Sequence, residues 1–246
     1  MNKILAVVAH PDDETILCGG TLALLARAGA NVHVLCATRG EGGELGEPPL
    51  CERPELGRVR EQEMRCAAQA LGGTSVEFLD YIDPTVGENE ELHPYTDDFD
   101  ELMQRLRDYI QQLCPDAVIT HGSNGEYGHP AHVLTHRAVI AAMPDGISLY
   151  TFSPSFPEHP RPRLANTDDP ADLILDISAA FEQKAAAAYC HRTQNALFVR
   201  RSSKRAGRQL SVPEVLMKVE GLHRVIGLLD DRLVDVLEIY RLKVAG

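Results

Sequence analysis

Six short apolar runs recur along the 246-residue chain, at 4–8, 32–37, 76–79, 117–120, 147–152 and 173–177. Amphipathic stretches of helical length lie between them, at 14–29, 58–72, 98–114, 130–143 and 178–192. This alternation predicts βαβ units, and hence a Rossmann-like α/β fold: a mostly parallel sheet with helices on both faces. Gly29 and Gly72 stand where such helices end in a left-handed residue. Hydrophobic residues make up 44% of the chain, enough to bury a large core. With no repeat or linker to divide it, a single domain over 1–246 is expected.

Three segments break the rhythm. Residues 38–57 are rich in Gly, Glu and Pro and too long for an ordinary strand-to-helix turn, so they are expected to wall a site. The Pro-rich residues 153–171 read as an extended surface loop. The basic run 199–208 reads as a solvated loop, or as a contact for an anionic substrate or a second subunit. The tail from Pro213 mixes helical and strand signals and takes no firm assignment.

The chemistry concentrates at two predicted strand ends. Ala9-His10-Pro11-Asp12-Asp13-Glu14 follows the apolar run Ile4–Val8 and precedes a helix. His121-Gly122-Ser123-Asn124-Gly125-Glu126-Tyr127-Gly128-His129-Pro130-Ala131-His132 follows Ala117–Thr120. In an open α/β sheet these turns lie at the carboxyl edge, where ligands bind. Imidazole and carboxylate groups there are competent to share one cation. Spacing alone does not separate Asp12 from Asp13 as a ligand. Without a metal, both would cap the helix and His10 would be hydrogen-bonded in the core.

The two motifs together resemble the LmbE-like, or PIG-L, family of zinc-dependent N-deacetylases. Thr38-Arg39-Gly40-Glu41-Gly42-Gly43, Arg60-Glu61-Gln62-Glu63 with Ala70-Leu71-Gly72, and His191-Arg192-Thr193-Gln194 after Lys184 extend the resemblance. It is clearest over 1–195 and leaves 196–246 as an unassigned extension. The resemblance implies a zinc or ferrous ion held by His10, Asp13 and His132. It implies Asp12 as general base, His129 as an imidazolium serving the oxyanion or leaving amine, and Tyr127 as a second oxyanion donor. Arg60 and Asp83 are implied substrate contacts, although Arg60 could instead pair with Glu61 or Glu63 on its own helix. His121 could line the pocket, and His136 could be a further ligand but is expected to support the site or the core. Glu14 is expected to favour the helix dipole, Glu41 to tie its loop to the site, and His191 to end a helix or, on the other reading, to line the pocket.

One position departs from the family pattern. Ala131 stands where an acid usually lies between the two histidines. That acid would favour a charged neighbouring imidazole. Its loss predicts a lower pKa for His129 unless Glu126 or Asn124 compensates; otherwise position 131 merely faces solvent at a helix start.

The implied reaction is hydrolysis of an N-acetyl group from a glucosamine-type conjugate by metal-activated water. Deacylation of another amide and a non-catalytic metal- or sugar-binding scaffold are the alternatives. A nucleotide-binding module is disfavoured because no Gly-x-Gly-x-x-Gly follows the first strand. A formal charge of −12 disfavours nucleic acid as a partner. No apolar stretch approaches a bilayer span, so no membrane partner is expected, and association with further copies is left open. Met1-Asn2-Lys3 leads straight into the first apolar run, leaving no room for a signal peptide. Six cysteines without a Cys-x-x-Cys pair read as reduced core residues of a cytoplasmic protein.

Overall fold

A computed structural model describes residues 3–87, 89, 91–227 and 232–242. Met1 and Asn2, read above as leading into the first strand, lie outside the described residues, as do 228–231 and 243–246 of the tail. The elements in chain order are β1 (Lys3–Val8), α1 (Asp13–Arg27), β2 (Asn31–Thr38), α2 (Leu56–Ala70), β3 (Ser75–Tyr81), α3 (Phe99–Leu113), β4 (Ala117–Thr120), the helical turn α4 (Gly125–Gly128) and α5 (Pro130–Ala142). There follow β5 (Ser148–Phe152), β6 (Pro154–Ser155), β7 (Asn166–Pro170), β8 (Leu173–Asp176), α6 (Phe181–Cys190), α7 (Asn195–Ala206), α8 (Val212–Val215), β9 (Val219–Ile226) and α9 (Arg232–Leu237).

The main sheet runs β3-β2-β1-β4-β5-β9-β8. β1 pairs in parallel with β2 on one side and β4 on the other. β9 lies antiparallel between β5 and β8. Side chains alternate across the sheet. Ile4, Ala6 and Val8 pack with α1, α2 and α6 residues such as Leu22, Met64 and Ala187. Leu5, Val7 and Ala9 pack with Leu106 of α3 and Val139 of α5. A strand buried on both faces must be apolar throughout, which is why β1 reads as an unbroken run. No helix among the described residues is long and apolar enough to cross a membrane.

The expected strands and helices form close to the predicted bounds, and Gly29 and Gly72 have the positive φ of helix-ending residues. Four expectations change. The basic run 199–208 lies largely in α7, not in a loop, and ends at Gly207 in the left-handed region. Its Arg200 pairs with Glu44 and Glu47 of the 38–57 segment. The Pro-rich segment forms the small β6–β7 sheet and is partly buried, because Asn166 turns into the protein. The tail supplies β9. The cysteines are not all reduced: Cys66 of α2 and Cys190 of α6 form a disulfide across 124 residues, while Cys18, Cys36, Cys51 and Cys114 are free. The two helices pack side by side, a proximity that spacing along the chain does not reveal.

β9 is tied to α1 by charge. Glu220 accepts the Gly20 and Thr21 N–H groups at 2.9 and 2.7 Å and pairs with Lys184 Nζ at 2.6 Å. Both side chains are buried. Gly20 admits this approach because a Cβ there would lie 2.6 Å from Ile177 and 2.9 Å from the carboxylate. Glu220→Ala leaves an unpaired buried ammonium and two orphaned amides. It is expected to cost about 3–5 kcal/mol in denaturant unfolding. A loss below about 1 kcal/mol, the scale of an exposed pair, would contradict this assignment.

Candidate active site

The turn after β1 and the turn after β4 are neighbours, because Val7 pairs with Thr120. They meet at the carboxyl edge of the sheet, where β1 sends its chain one way and β4 another. His10 leaves β1, Asp13 opens α1 and His132 sits in the first turn of α5. His10 Nδ1 lies 3.3 Å from His132 Nε2. Asp13 turns Oδ2 toward His10 Nδ1 and Oδ1 toward His132 Nε2, each at 3.4 Å. With metal–ligand bonds of about 2.0–2.1 Å, the donors on one edge of a tetrahedral site stand about 3.3 Å apart. The three groups fit one small cation.

The outer faces of both imidazoles are also fixed. His10 directs Nε2 at Asp83 Oδ1, 3.2 Å away. His132 directs Nδ1 at Glu126 Oε2, 2.6 Å away. A carboxylate behind each ring holds the N–H outward and leaves the other nitrogen's lone pair facing the shared centre. His121 also groups with Asp13 and His132 closely enough to hold an ion, its Nε2 3.4 Å from Asp13 Oδ2, but both its nitrogens are already engaged. Its Nε2 accepts the Ala9 N–H at 3.0 Å, and its Nδ1 faces Glu126 at 3.0 Å. His136 is tied to the His121 carbonyl at 2.8 Å.

The electrostatics follow from this packing. Burial opposes a charged His10, but Asp13 and Asp83 overcome it and push its pKa up to about 10. Burial also works against the Asp13 carboxylate, yet His132 and His121 hold its pKa well below the ordinary value. Carboxylates that draw a proton onto imidazole will draw a dication in its place. Asp12 is different: burial pushes its pKa up to about 7, against the pull of Arg60. For His129, burial and the neighbouring His132 and His10 push the pKa down to about 3. Its Nδ1 accepts the Ala131 N–H at 3.2 Å. The expected imidazolium is therefore corrected to a neutral ring, with Nε2–H as its remaining donor.

Ala131 does not face solvent. It is fully buried in the apolar cluster with Leu5, Val7 and Ala9. Glu126 supplies a carboxylate nearby, but to His132 and His121, not to His129. Asn166, missed in the sequence, holds Glu126 in turn. Its amide donates to Glu126 Oε1 at 3.2 Å, and its oxygen accepts the Glu126 N–H at 3.0 Å. Glu126→Gln keeps the volume but removes the charge that fixes the His132 tautomer. Metal affinity is expected to fall about 10–100-fold, measured by competition with a chromogenic chelator. Unchanged affinity would remove Glu126 from the support of the site.

Arg60 and Asp83 line the cavity, and most of their polar atoms are engaged with the protein. Arg60 is buried, and its guanidinium donates to the Gly40 carbonyl at 2.8 Å, to the Pro11 carbonyl, and to Asp12 Oδ2 at 3.3 Å. It does not pair with Glu61 or Glu63, which are taken by Arg39 and Thr193. Gly40 must be glycine: its φ is +69°, and a Cβ would strike the guanidinium. Asp83 Oδ2 accepts the Gly42 N–H at 3.2 Å, and Glu41 accepts the Asp83 N–H at 3.1 Å, so the 38–57 loop is tied to the site as expected. A cavity of about 510 Å³ opens beside His10 and Asp13. Asp12, Tyr127 and His129 reach it from the motifs, Gly42 and Arg53 from the loop, and Gln194 and Leu197 from α7 and its approach. Tyr127 stands half exposed at its mouth.

Residues 5–143 match the model of the family described as PIG-L: GlcNAc-PI de-N-acetylase. The chain belongs to the PIG-L family. Relatives named 1D-myo-inositol 2-acetamido-2-deoxy-alpha-D-glucopyranoside deacetylase include one from Acidothermus cellulolyticus, 37% identical over 58% of this chain and 53% of that protein. Another, from Corynebacterium diphtheriae, is 34% identical over 78% of this chain and 76% of that one. The chain thus spans between about half and three quarters of these relatives' lengths. The N,N'-diacetylchitobiose deacetylase of Pyrococcus horikoshii has the same PIG-L fold, with a TM-score of 0.64 at 21% identity over 92% of this chain and 84% of that one. The 4-carboxy-2-hydroxymuconate hydratase of Pseudomonas putida KT2440 matches at a TM-score of 0.63 and 27% identity, over 93% of this chain and 98% of that one.

Proposed function

We propose that this PIG-L protein is a zinc-dependent hydrolase that removes the N-acetyl group of an N-acetylglucosamine-type glycoconjugate, giving acetate and a free amine. The observation that carries this reading is the triad His10–Asp13–His132, with a carboxylate behind each imidazole and a further carboxylate, Asp12, beside it in the cavity. A dication held there supplies Lewis acidity to an amide carbonyl and lowers the pKa of a water. Asp12, with a pKa pushed up to about 7, is matched to taking a proton near neutrality and passing it to the departing amine. His129 offers a neutral N–H, and Tyr127 a hydroxyl at the cavity mouth, to charge that develops on the carbonyl oxygen. Ferrous iron in place of zinc would leave these roles unchanged.

The likeness to a hydratase favours a second reading, addition of water to an unsaturated polyanionic acid. Such a substrate needs unspent cations in the cavity. Arg60 donates to Gly40, Pro11 and Asp12, and Arg53 donates to the Glu41 and Gly43 carbonyls. Arg60 is largely spent on the protein, and Arg53, which donates through Nη1 alone, leaves one exposed cation at the cavity for a substrate that needs several, which supports an uncharged amide instead. The test is primary-amine and acetate release by the zinc-loaded protein from N-acetylglucosamine, N,N'-diacetylchitobiose and an N-acetylglucosaminyl-inositol. Equimolar amine and acetate are expected. Hydration of a conjugated carboxylic acid, read as lost ultraviolet absorbance, with no amine released from any of the three, would overturn the deacetylase reading.

A further inference from the structure

Asp12 occupies the N-cap position of α1, since its carbonyl accepts the Thr15 and Ile16 N–H groups at 3.0 and 2.9 Å. An aspartate there ordinarily has extended backbone and spends its side chain on the helix amides. Asp12 does neither. Its φ is +115° with ψ −24°, in the region that favours glycine, and its carboxylate makes no capping bond. A non-glycine residue in such a region costs about 1–3 kcal/mol and persists only where its surroundings enforce it.

The enforcing group is visible. Glu14, fully buried, folds back so that Oε2 accepts the Asp12 N–H at 3.0 Å. Its other oxygen accepts the Thr15 hydroxyl at 2.6 Å and faces His191 Nε2 at 2.9 Å. His191, also fully buried, follows α6 directly. Arg60 of α2 grips the same turn from the other side through the Pro11 carbonyl. The disulfide Cys66–Cys190 joins α2 to α6 one residue before His191. The turn carrying Asp12 is thus clamped between two cross-linked helices.

We propose that Glu14 and His191 are positioning residues: by holding the Asp12 backbone in its left-handed state they deny its carboxylate the helix-capping role and keep it turned into the cavity as base. The proposal rests on the deacetylase reading for its kinetic arm alone. Without Glu14, the Asp12 backbone is free to relax to the extended state, where its carboxylate caps the helix through the Glu14-position or Thr15 amide. The carboxylate is then absent from the reacting centre, although every metal donor remains.

The kinetic test is a double-mutant cycle. Glu14→Ala is expected to lower kcat about 10²-fold, the lower end of what a lost acid–base group costs, with KM and bound zinc unchanged. In the Asp12→Asn background the same substitution is expected to slow the reaction no further, because its effect passes through Asp12. A merely structural role predicts multiplied losses, and that outcome overturns the proposal. Should Glu14→Ala not fold, His191→Asn leaves Glu14 in the helix, removes its outer anchor, and enters the same cycle with the same two outcomes. A crystal structure of the folded variant supplies the arm that is independent of activity. Asp12 is expected at negative φ with its carboxylate on a helix amide; Asp12 still at positive φ and facing the cavity overturns the proposal even if the protein proves to have another reaction.

Discussion

Asp12→Asn is expected to lower kcat about 10²–10⁴-fold while zinc stays bound, the range attributed to a lost general base. Asparagine keeps the volume and can still accept the Arg60 hydrogen bond, now 3.3 Å long. What it lacks is a site for a proton. Because Asp12 takes no part in the contacts among His10, Asp13 and His132, metal content and melting temperature should barely move. The decisive measurement joins single-turnover amine release with metal analysis of the same sample. Near-parental turnover with full metal would show that another group takes the proton.

His132→Ala is expected to abolish both metal retention and turnover. It removes one of three donors and also leaves Glu126 without its shortest partner, at 2.6 Å. The loss of affinity should exceed the roughly 10–100-fold cost of disturbing an outer-sphere partner. Desalted protein should carry little zinc, and added zinc should no longer raise the melting temperature, since a ligand stabilises only the state that binds it. A stoichiometric complex of unchanged affinity would mean that the cation sits elsewhere. His10, His129 and His132 also cluster closely enough to hold an ion. Asp13, His121 and His132 form another such group; His129→Ala should spare binding in either set that contains Asp13 and destroy it if His129 is a donor.

The parallel half of the sheet was legible because β1, β2, β4 and β5 are buried on both faces, which demands apolar runs. The two histidine-bearing turns were legible because each follows such a run, whereas the choice of His10, Asp13 and His132 within them came from the family resemblance. β9 was not. Val219–Ile226 carries Glu220, Gly221, His223 and Arg224, and its buried carboxylate is neutralised by Lys184 from another element. Asn166 escaped for a related reason: its partner Glu126 lies 40 residues away, and its own neighbourhood reads as a Pro-rich surface. Arg60 and Asp83, expected from the resemblance as substrate contacts, line the cavity and also brace Pro11, Gly40 and His10. Chain position cannot tell a group that touches a ligand from one that braces its neighbours. Ala131 looked like a gap in a polar motif because the helix start hides which way its first turn faces; the methyl points into the core.

The late insertion of β9 separates two events in the making of this molecule. Every proposed metal donor lies at or before residue 132, and β3-β2-β1-β4-β5 can be laid down by parallel crossovers alone. β8, however, has no neighbour in the main sheet until β9 arrives between it and β5. The contact that then fastens β9, Glu220 on Gly20, spans 200 residues. Contacts so distant in sequence form slowly. Until that happens the open edge of β5 is a template for strands of other chains. The proposed metal donors and the strand that closes the β5 edge thus lie in separate parts of the chain, so a change that weakens the β9 anchor should raise aggregation without touching the donors themselves.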